Sequence, residues 1–198
     1  DLGIILSDTS ATIGAVFTSN KVVSPSVTLS RERAKRGVGR AVVANSGCAN
    51  CCVGDQGLKD ATEMAALTAS HLNVEPEDVL VCSTGIIGVE LPMALIRQNL
   101  GNVNLNNKSG TSFARAIMTT DTRPKEFAIS VEISGKKITI GGAAKGAGMI
   151  HPNMATMLCF LTTDADLEQG YAQNALKEAV DASFNMIDVD GDQSTNDT

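Results

Sequence analysis

The sequence has no tryptophan, a single tyrosine and only 3% aromatic residues among its 198 positions. Its core must therefore be mainly aliphatic, and a hydrophobic content of 43% is sufficient for one large domain or two small ones. A surplus of basic charge is also absent, because the formal net charge is −6. Since a nucleic-acid surface requires clustered lysine and arginine, this balance argues against a nucleic-acid partner.

Long hydrophobic runs are missing as well. No stretch approaches the ~20 consecutive apolar residues of a transmembrane helix, so we predict no membrane partner. The start at Asp1 lacks methionine and a basic region and does not form a signal peptide, and we expect residues before Asp1 and after Thr198 to be absent from this sequence. The five cysteines lack the spacing of a small disulfide-rich domain, which predicts free thiols in a reducing compartment.

Two short motifs have weak metal-binding character. The stretch Cys48–Cys52 contains a C-x-x-C pair, but no second pair follows, and only His71 and His151 could complete a zinc site. The acidic turn Asp188–Asp192 begins like a calcium loop, yet its glycine is misplaced and no glutamate closes it. We therefore predict no metal. A non-catalytic metal-binding module stays open as an alternative, with these ligands: Cys48, Cys51, Cys52 and the acidic turn.

Hydrophobic periodicity predicts strands and helices in alternation. The predicted strands are 2–6, 13–17, 40–45, 79–82, 127–133, 137–140 and 156–163, with a hairpin turn at Ser134-Gly135. The predicted helices are 58–72, 92–100, 111–118 and a long amphipathic one over 167–184. The basic run Arg31–Arg40 is interpreted as a solvated turn or helix end. This mixture predicts an α/β fold with α+β layers.

The stretch Lys145–Leu158 is the most unusual part of the sequence. Its glycines and proline indicate an irregular loop, which then enters the β-branched and apolar strand predicted from Thr156. The small dipeptide Ala155-Thr156 lies at this junction, where a rigid strand could hold a nucleophilic hydroxyl in place. Threonine is a common strand residue, so ordinary strand structure is by far the commoner explanation of this position taken alone.

Three turns of small polar residues end other predicted elements: Asn45–Gly47, Ser83–Gly85 and Thr119–Thr122. A Thr-Gly turn offers a hydroxyl and an unhindered backbone N–H, which are the parts of an oxyanion hole. The same residue types are also typical of caps and turns.

Five segments in this order resemble one known family: Asn45–Asn50, Ser83–Gly88, Met118–Thr122, Lys145–Leu158 and Asp190–Asp197. Together they are similar to the bifunctional ornithine acetyltransferase/glutamate N-acetyltransferase family of arginine biosynthesis, over nearly the whole chain. The resemblance implies a sandwich of sheets and helices related to the DmpA-type self-processing aminopeptidases.

The resemblance also implies a precursor that cleaves itself between Ala155 and Thr156. Residues 1–155 would then form a first chain that lacks its start, and residues 156–198 the beginning of a second chain whose remainder is absent. The two chains are expected to assemble as an α2β2 heterotetramer in the cytoplasm, or in an organellar matrix in a eukaryote. No cofactor is implied, although acetyl-CoA is a possible acetyl donor.

In the implied reaction, Thr156 is the nucleophile and carries acetyl from N-acetyl-L-ornithine to L-glutamate by ping-pong kinetics. Its α-amine, released by the cleavage, would be the general base. Thr84 and Gly85 correspond to the family's oxyanion hole.

Lys145 and Thr122 correspond to substrate-binding residues of the family, with Thr120 in reserve. A lysine suits the α-carboxylate that both amino-acid substrates share. The alternative for Lys145 is a solvated loop charge. For the whole chain, an amidase or aminopeptidase with an N-terminal nucleophile on the same scaffold stays open, because the sequence does not show whether an amine or water receives the acyl group.

Overall fold

The computed structural model describes residues 1–105, 108–151 and 157–198. Its strands are β1 (Leu2–Thr12), β2 (Val38–Cys48), β3 (Val79–Ile86), β4 (Lys125–Ile133), β5 (Lys136–Lys145) and β6 (Leu158–Thr163). Its helices are α1 (Pro25–Ala34), α2 (Gln56–Leu72), α3 (Met93–Asn99), α4 (Gly110–Ala116) and α5 (Gln169–Asp181). Within these described ranges, no helix combines the length and the apolar character that crossing a bilayer requires.

The first sheet has the order β1-β2-β3, with β1 antiparallel and β3 parallel to β2. Parallel neighbours require a crossover connection, which α2 supplies between β2 and β3. The carboxyl ends of β2 and β3 therefore lie side by side, with Ser46 opposite Thr84 and Gly47 opposite Gly85. Two of the polar turns singled out in the sequence are thus neighbours.

The second sheet has the order β4-β5-β6 and is antiparallel throughout. Ser134 and Gly135 connect β4 to β5 with φ angles of 52° and 75°, the positive values that a two-residue hairpin of type I′ requires. The predicted hairpin is confirmed at the predicted turn.

The two sheets and the helices form layers. One face of the first sheet packs on α2 and α3 through a cluster that includes Val43, Val81 and Met64. The other face meets the second sheet and α4, where Phe113 of α4 stands edge-on to Phe160 at 5.2 Å between ring centroids. The predicted α/β class with α+β layers is confirmed.

The outer face of the second sheet is apolar and exposed. Alternate residues of β4 lie on this face, which also includes Leu161 of β6, and their side chains are 42–56% exposed: Phe127, Ile129, Val131 and Ile133. We call this surface the outer face.

The strand predicted for residues 13–17 does not form. Instead β1 continues to Thr12, with its pairing to β2 interrupted between Leu6 and Ala11. The backbone of Ala15 bonds to the side chain of Gln173 on α5, which accepts from its N–H and donates to its carbonyl, both at 3.0 Å. A side-chain amide thus satisfies polar groups that would otherwise require a neighbouring strand.

Helix α1 was not predicted, because only its end falls in the basic run beginning at Arg31. Its buried residues are small, namely Ser26, Val27 and Ser30, so it has no apolar stripe of helical period. Pro25 in its first turn and Ser24 at its N-cap are the local signals of its start. The Ser30 hydroxyl donates to the carbonyl of Val81 and accepts from its N–H, both at 2.7 Å, so α1 covers the free edge of β3.

Candidate active site

A hydrogen bond between two buried side chains links the sheets at the ends of their strands. Lys145 is the last residue of β5, and its Nζ donates to the hydroxyl of Thr84 on β3 at 3.1 Å. Only 3% of Lys145 and 4% of Thr84 is exposed. The alternative of a solvated loop charge at Lys145 is therefore wrong.

The surroundings of Lys145 act on its charge in opposite directions. Burial lowers the pKa of its ammonium group below the usual value, and the nearby cation Lys125 acts in the same direction. The carboxylates of Asp121 and Asp197 oppose this effect. The two acidic neighbours thus favour the charged form of Lys145, which can polarise the hydroxyl to which it donates.

Thr84 and Gly85 have the geometry of a donor pair at a strand end. The Thr84 hydroxyl accepts from Lys145, which leaves its own proton for donation. Gly85 has a φ of +132°, and a Cβ at this position would lie 2.3 Å from the carbonyl carbon of Gly47. Close approach of β2 and β3 therefore requires glycine at position 85.

The turn Thr119–Thr122 is attached to the residue after Lys145. Asp121 accepts from the N–H of Gly146 at 2.9 Å and forms an ion pair with Lys125. Burial acts to raise the pKa of Asp121, but these bonds and one from the N–H of Thr119 lower it overall. Thr120 and Thr122 flank Asp121 and are exposed, so both remain candidates for contact with a substrate.

The last motif segment joins the ends of β2 and β3. The side-chain amide of Asn196 donates to the carbonyls of Ala49 at 2.6 Å and Ser83 at 2.9 Å. Next to it, Asp197 accepts from the N–H of Met157 at 2.8 Å. The five segments on which the resemblance rests are therefore linked to one another by hydrogen bonds.

The predicted cleavage residues Ala155 and Thr156 lie outside the described residues. The strand predicted from Thr156 is confirmed over its described part, since β6 runs over Leu158–Thr163. The roles of Thr156, Thr84, Gly85, Lys145 and Thr122 stay predictions.

Comparison with known proteins identifies the family. The model of the ArgJ family matches residues 1–198, the whole of this sequence. The chain belongs to the ArgJ family. Among its relatives are the arginine biosynthesis bifunctional protein ArgJ of Dehalococcoides mccartyi, 54% identical over 198 residues, and the glutamate N-acetyltransferase of Methanocaldococcus jannaschii, 50% identical over 203 residues.

The alignments with these two relatives cover the whole of this chain but only part of each relative. Both relatives align with the whole chain, which covers 49% and 50% of their own lengths. The chain thus spans about half the length of the curated relatives it matches.

Two solved ArgJ-family structures share the fold. The ArgJ protein of Bacillus halodurans aligns with 78% of this chain and 83% of its own, at 40% identity and a TM-score of 0.75. The ornithine acetyltransferase of Mycobacterium tuberculosis, solved in complex with ornithine, aligns with 82% of this chain and 84% of its own. Its identity is 33% and its TM-score 0.70.

Three polar residues of this ArgJ-family site were not singled out from the sequence: Asp121, Asn196 and Asp197. Each lies inside a segment that was, but an aspartate or asparagine in a turn normally bonds to its own turn. Asp121 does bond within its own turn, to Thr119 and Lys125, but the bonds that bring these three residues to the site reach partners 25 to 147 residues away. Such long-range pairing leaves no local signal.

The cysteines and the acidic turn do not converge in the described part of this ArgJ-family chain, where no group of three or more His, Cys, Asp or Glu side chains could hold a metal ion. Cys51 and Cys52 have sulfurs 3.8 Å apart. Asp190 of the acidic turn bonds to the N–H of Ile150 at 3.0 Å, and His151 lies in a loop, 3.5 Å from Asp188. The metal-binding alternative therefore has no geometric support in these ranges.

Proposed function

We propose that this chain carries the catalytic site of an acetyltransferase that moves acetyl from N-acetyl-L-ornithine to L-glutamate. The observation that carries the proposal is the buried bond between Lys145 and Thr84, two strand-end residues on different sheets. Family membership supports the reaction, since relatives of this chain are called glutamate N-acetyltransferase and arginine biosynthesis bifunctional protein.

The first step of the proposed chemistry is self-cleavage. The hydroxyl of Thr156 attacks the carbonyl of Ala155, the peptide C–N bond breaks, and the nitrogen takes up a proton. The ester that results is opened by water, which leaves a carboxylate on Ala155 and a free α-amine on Thr156. Residues 1–155 and 156–198 are then parts of two chains.

The acetyl transfer uses the same hydroxyl. The α-amine of Thr156, with a reference pKa of roughly 7.7–8.0, accepts the hydroxyl proton as Thr156 attacks the acetyl carbonyl. Collapse of the tetrahedral intermediate breaks the amide bond, and the departing ornithine nitrogen takes that proton. The amine of glutamate then attacks the acetyl-threonine ester, and Thr156 leaves with the proton that glutamate releases.

Both half-reactions develop an oxyanion, for which we assign the Thr84 hydroxyl and the Gly85 N–H as donors. The ammonium group of Lys145 donates to the Thr84 hydroxyl, and this strengthens the hydroxyl as a donor to a developing negative charge. Cooperative polarisation of this kind favours the transition state over the ground state, because the negative charge is present only there.

For substrate recognition we assign Lys145 to the α-carboxylate, together with Thr122 or Thr120. Ornithine as a ligand is supported by the complex of the Mycobacterium tuberculosis ornithine acetyltransferase. We further propose an α2β2 assembly, a cytoplasmic or organellar-matrix location, and acetyl-CoA as a possible second acetyl donor.

The test compares Thr84→Ala, Thr84→Ser and Thr156→Ala in the complete polypeptide that carries this sequence, with the exposed helix variant Thr62→Ala as the control. Cleavage is followed by intact mass under denaturing conditions, and transfer by the appearance of labelled N-acetylglutamate. Because loss of one oxyanion donor typically costs 10²–10³ in rate, we expect Thr84→Ala to lower kcat by about that factor. Thr84→Ser retains the hydroxyl and should keep most activity.

The possible outcomes separate the competing functions. Thr156→Ala should remain a single uncut chain without activity, whereas Thr62→Ala should behave like the wild type. Acetate release that does not depend on glutamate would identify an amidase instead. An uncut and inactive wild type would overturn the proposal.

A further inference from the structure

The motif Asp190–Asp197 has no role in the chemistry above, yet it bonds to the chain on both sides of residues 152–156. On the earlier side, the carboxylate of Asp190 accepts from the N–H groups of Met149 at 2.5 Å and Ile150 at 3.0 Å. The N–H of Val189 also donates to the carbonyl of Ile150 at 2.8 Å. We call residues 189–198 the clamp segment.

On the later side, the clamp segment bonds to Met157, the neighbour of Thr156 in the sequence. Asp197 accepts from the N–H of Met157 at 2.8 Å, and the N–H of Thr198 donates to the carbonyl of Met157 at 3.2 Å. Both polar backbone groups of Met157 therefore bond to one short segment.

The clamp segment is itself held by residues near the start of the chain. The carbonyl of Asp197 accepts from the N–H of Thr18, and that of Thr195 from the N–H of Ser24, both at 3.0 Å. The Thr18 hydroxyl donates to the carbonyl of Ser194 at 2.7 Å. Residues 194–197 are no more than 8% exposed, so this part of the clamp segment is packed into the fold, whereas residues 189–192 are exposed.

Asp197 is the most unusual residue of the clamp segment. Its side chain is fully buried, and its Oδ2 atom has no hydrogen-bond partner within the described ranges. Burial raises the pKa of Asp197 to about 7, although the N–H of Met157, the Ser194 side chain and the charge of Lys145 oppose the rise. A buried oxygen without a partner is costly in folding, and such costs are found at functional sites.

We propose that the clamp segment positions the scissile peptide from both sides, with Asp190 holding the end of the first chain and Asp197 the start of the second. The inference rests on the proposed cleavage between Ala155 and Thr156. Asp197 is a positioning residue here, because it acts on Thr156 through the N–H of Met157. Asp190 does the same for the residues that precede the cut.

The experiment measures the rate of precursor cleavage in the complete polypeptide made by cell-free translation. The variants are Asp197→Ala, Asp197→Asn and Asp190→Ala, and the matched control is Asp192→Asn, an exposed aspartate of the same segment. A hydrogen bond to a charged group is worth about a tenfold to hundredfold change in rate. We expect losses of this size in Asp197→Ala and Asp190→Ala, and none in Asp192→Asn.

A pH profile distinguishes positioning from a merely structural role. Below pH 7 the wild-type Asp197 is largely protonated and resembles Asn, so the ratio of wild-type to Asp197→Asn cleavage rates should be near one. Above pH 7 the wild-type carboxylate is charged and accepts more strongly from Met157, so the ratio should rise. The charged group that faces Asp197 is Lys145, whose own charged neighbours are Asp121 and Lys125. All three residues are present in both proteins.

Each outcome decides the inference. Wild-type cleavage rates in Asp197→Ala and Asp190→Ala, or a ratio that does not change with pH, would overturn the clamp while leaving the proposed function intact. An uncut wild type would overturn both. If Asp197→Ala fails to fold, as judged by its thermal transition, the Asp197→Asn pH ratio still decides the question.

Discussion

At the scale of single residues, two glycines near the end of β3 differ in what fixes them. Gly85 combines a φ of +132° with a close approach, since a Cβ would lie 2.3 Å from the Gly47 carbonyl carbon. Gly88 also has a positive φ, of +81°, but no atom lies within 4 Å of its Cβ position. Substitutions at these two positions therefore distinguish the cost of backbone strain from the cost of steric overlap.

We expect Gly85→Ala to lower the free energy of unfolding more than Gly88→Ala does. Strain at a positive φ costs of order 1–3 kcal/mol in either variant, and only at position 85 does overlap with backbone atoms add to it. Urea denaturation of both variants against the wild type measures the difference. Equal losses would show that β2 can move away from β3 without cost.

Lys145 shows how a buried cation is retained in this fold. Removing an ammonium group from water is costly, and burial is the largest influence on its pKa. Asp121 and Asp197 offset the cost from two different segments, so the lysine is bound by charge as well as by its bond to Thr84. Removing either carboxylate should therefore destabilise the charged form of Lys145.

At the scale of secondary-structure elements, β4 is one of the two edge strands of the second sheet, and the other, β6, bonds to Thr198 through the N–H of Cys159. Among the residues that the structure describes, no strand pairs with the outer edge of β4, and the apolar outer face occurs on the same strand, a combination that favours pairing with other chains. Ile129 and Ser130 are adjacent on this strand but point to opposite faces. They allow a charge to be added on either face of one strand.

We expect Ile129→Lys to reduce aggregation of this 198-residue polypeptide, because it places a charge in the centre of the outer face. Ser130→Lys adds the same charge on the other face and should have a smaller effect. Light scattering at increasing protein concentration measures the outcome. Equal solubility of the two variants would mean that net charge, and not the outer face, controls association.

The elements that could be predicted from the sequence are those whose signal is local. The β4–β5 hairpin and α2 follow from alternation and from helical spacing, and both formed as expected. Helix α1 lacks an apolar stripe because its contact with β3 is made by serines. The segment 13–17 has the alternation of a strand, yet Gln173 of a distant helix satisfies the backbone of Ala15.

The candidate active site shows the same difference between local sequence signals and long-range contacts. The polar turn at Thr84 and the loop that begins at Lys145 could be identified because their composition is unusual, and the structure brings the two residues into contact. Asp121, Asn196 and Asp197 could not be identified, since their roles depend on partners distant in the sequence. Periodicity carries no information about such pairs.

At the scale of the whole molecule, residues near the two ends of the sequence are bonded to each other. The clamp segment accepts hydrogen bonds from the stretch 18–24, including one from the Asn20 side chain to the Gln193 carbonyl at 2.8 Å. In a processed molecule these bonds would join two separate chains. Cleavage would therefore remove a covalent connection without removing this interface.

The number of chains that unfolding releases depends on whether the polypeptide has been cleaved. Each uncut Thr156→Ala polypeptide unfolds to one chain, whereas each processed polypeptide unfolds to two, whatever their assembly, so the Tm of the processed wild type should fall more steeply on dilution. Tenfold dilution lowers the free energy of unfolding by about 1.4 kcal/mol for each additional chain that unfolding releases. Each kcal/mol shifts Tm by roughly 2–4 °C at this size. Thermal scans of both proteins over a hundredfold range of concentration would measure the two slopes.

Identical slopes would contradict the idea that the processed chains come apart when they unfold. With different slopes, cleavage would make the stability of the protein depend more strongly on the amount that the cell makes.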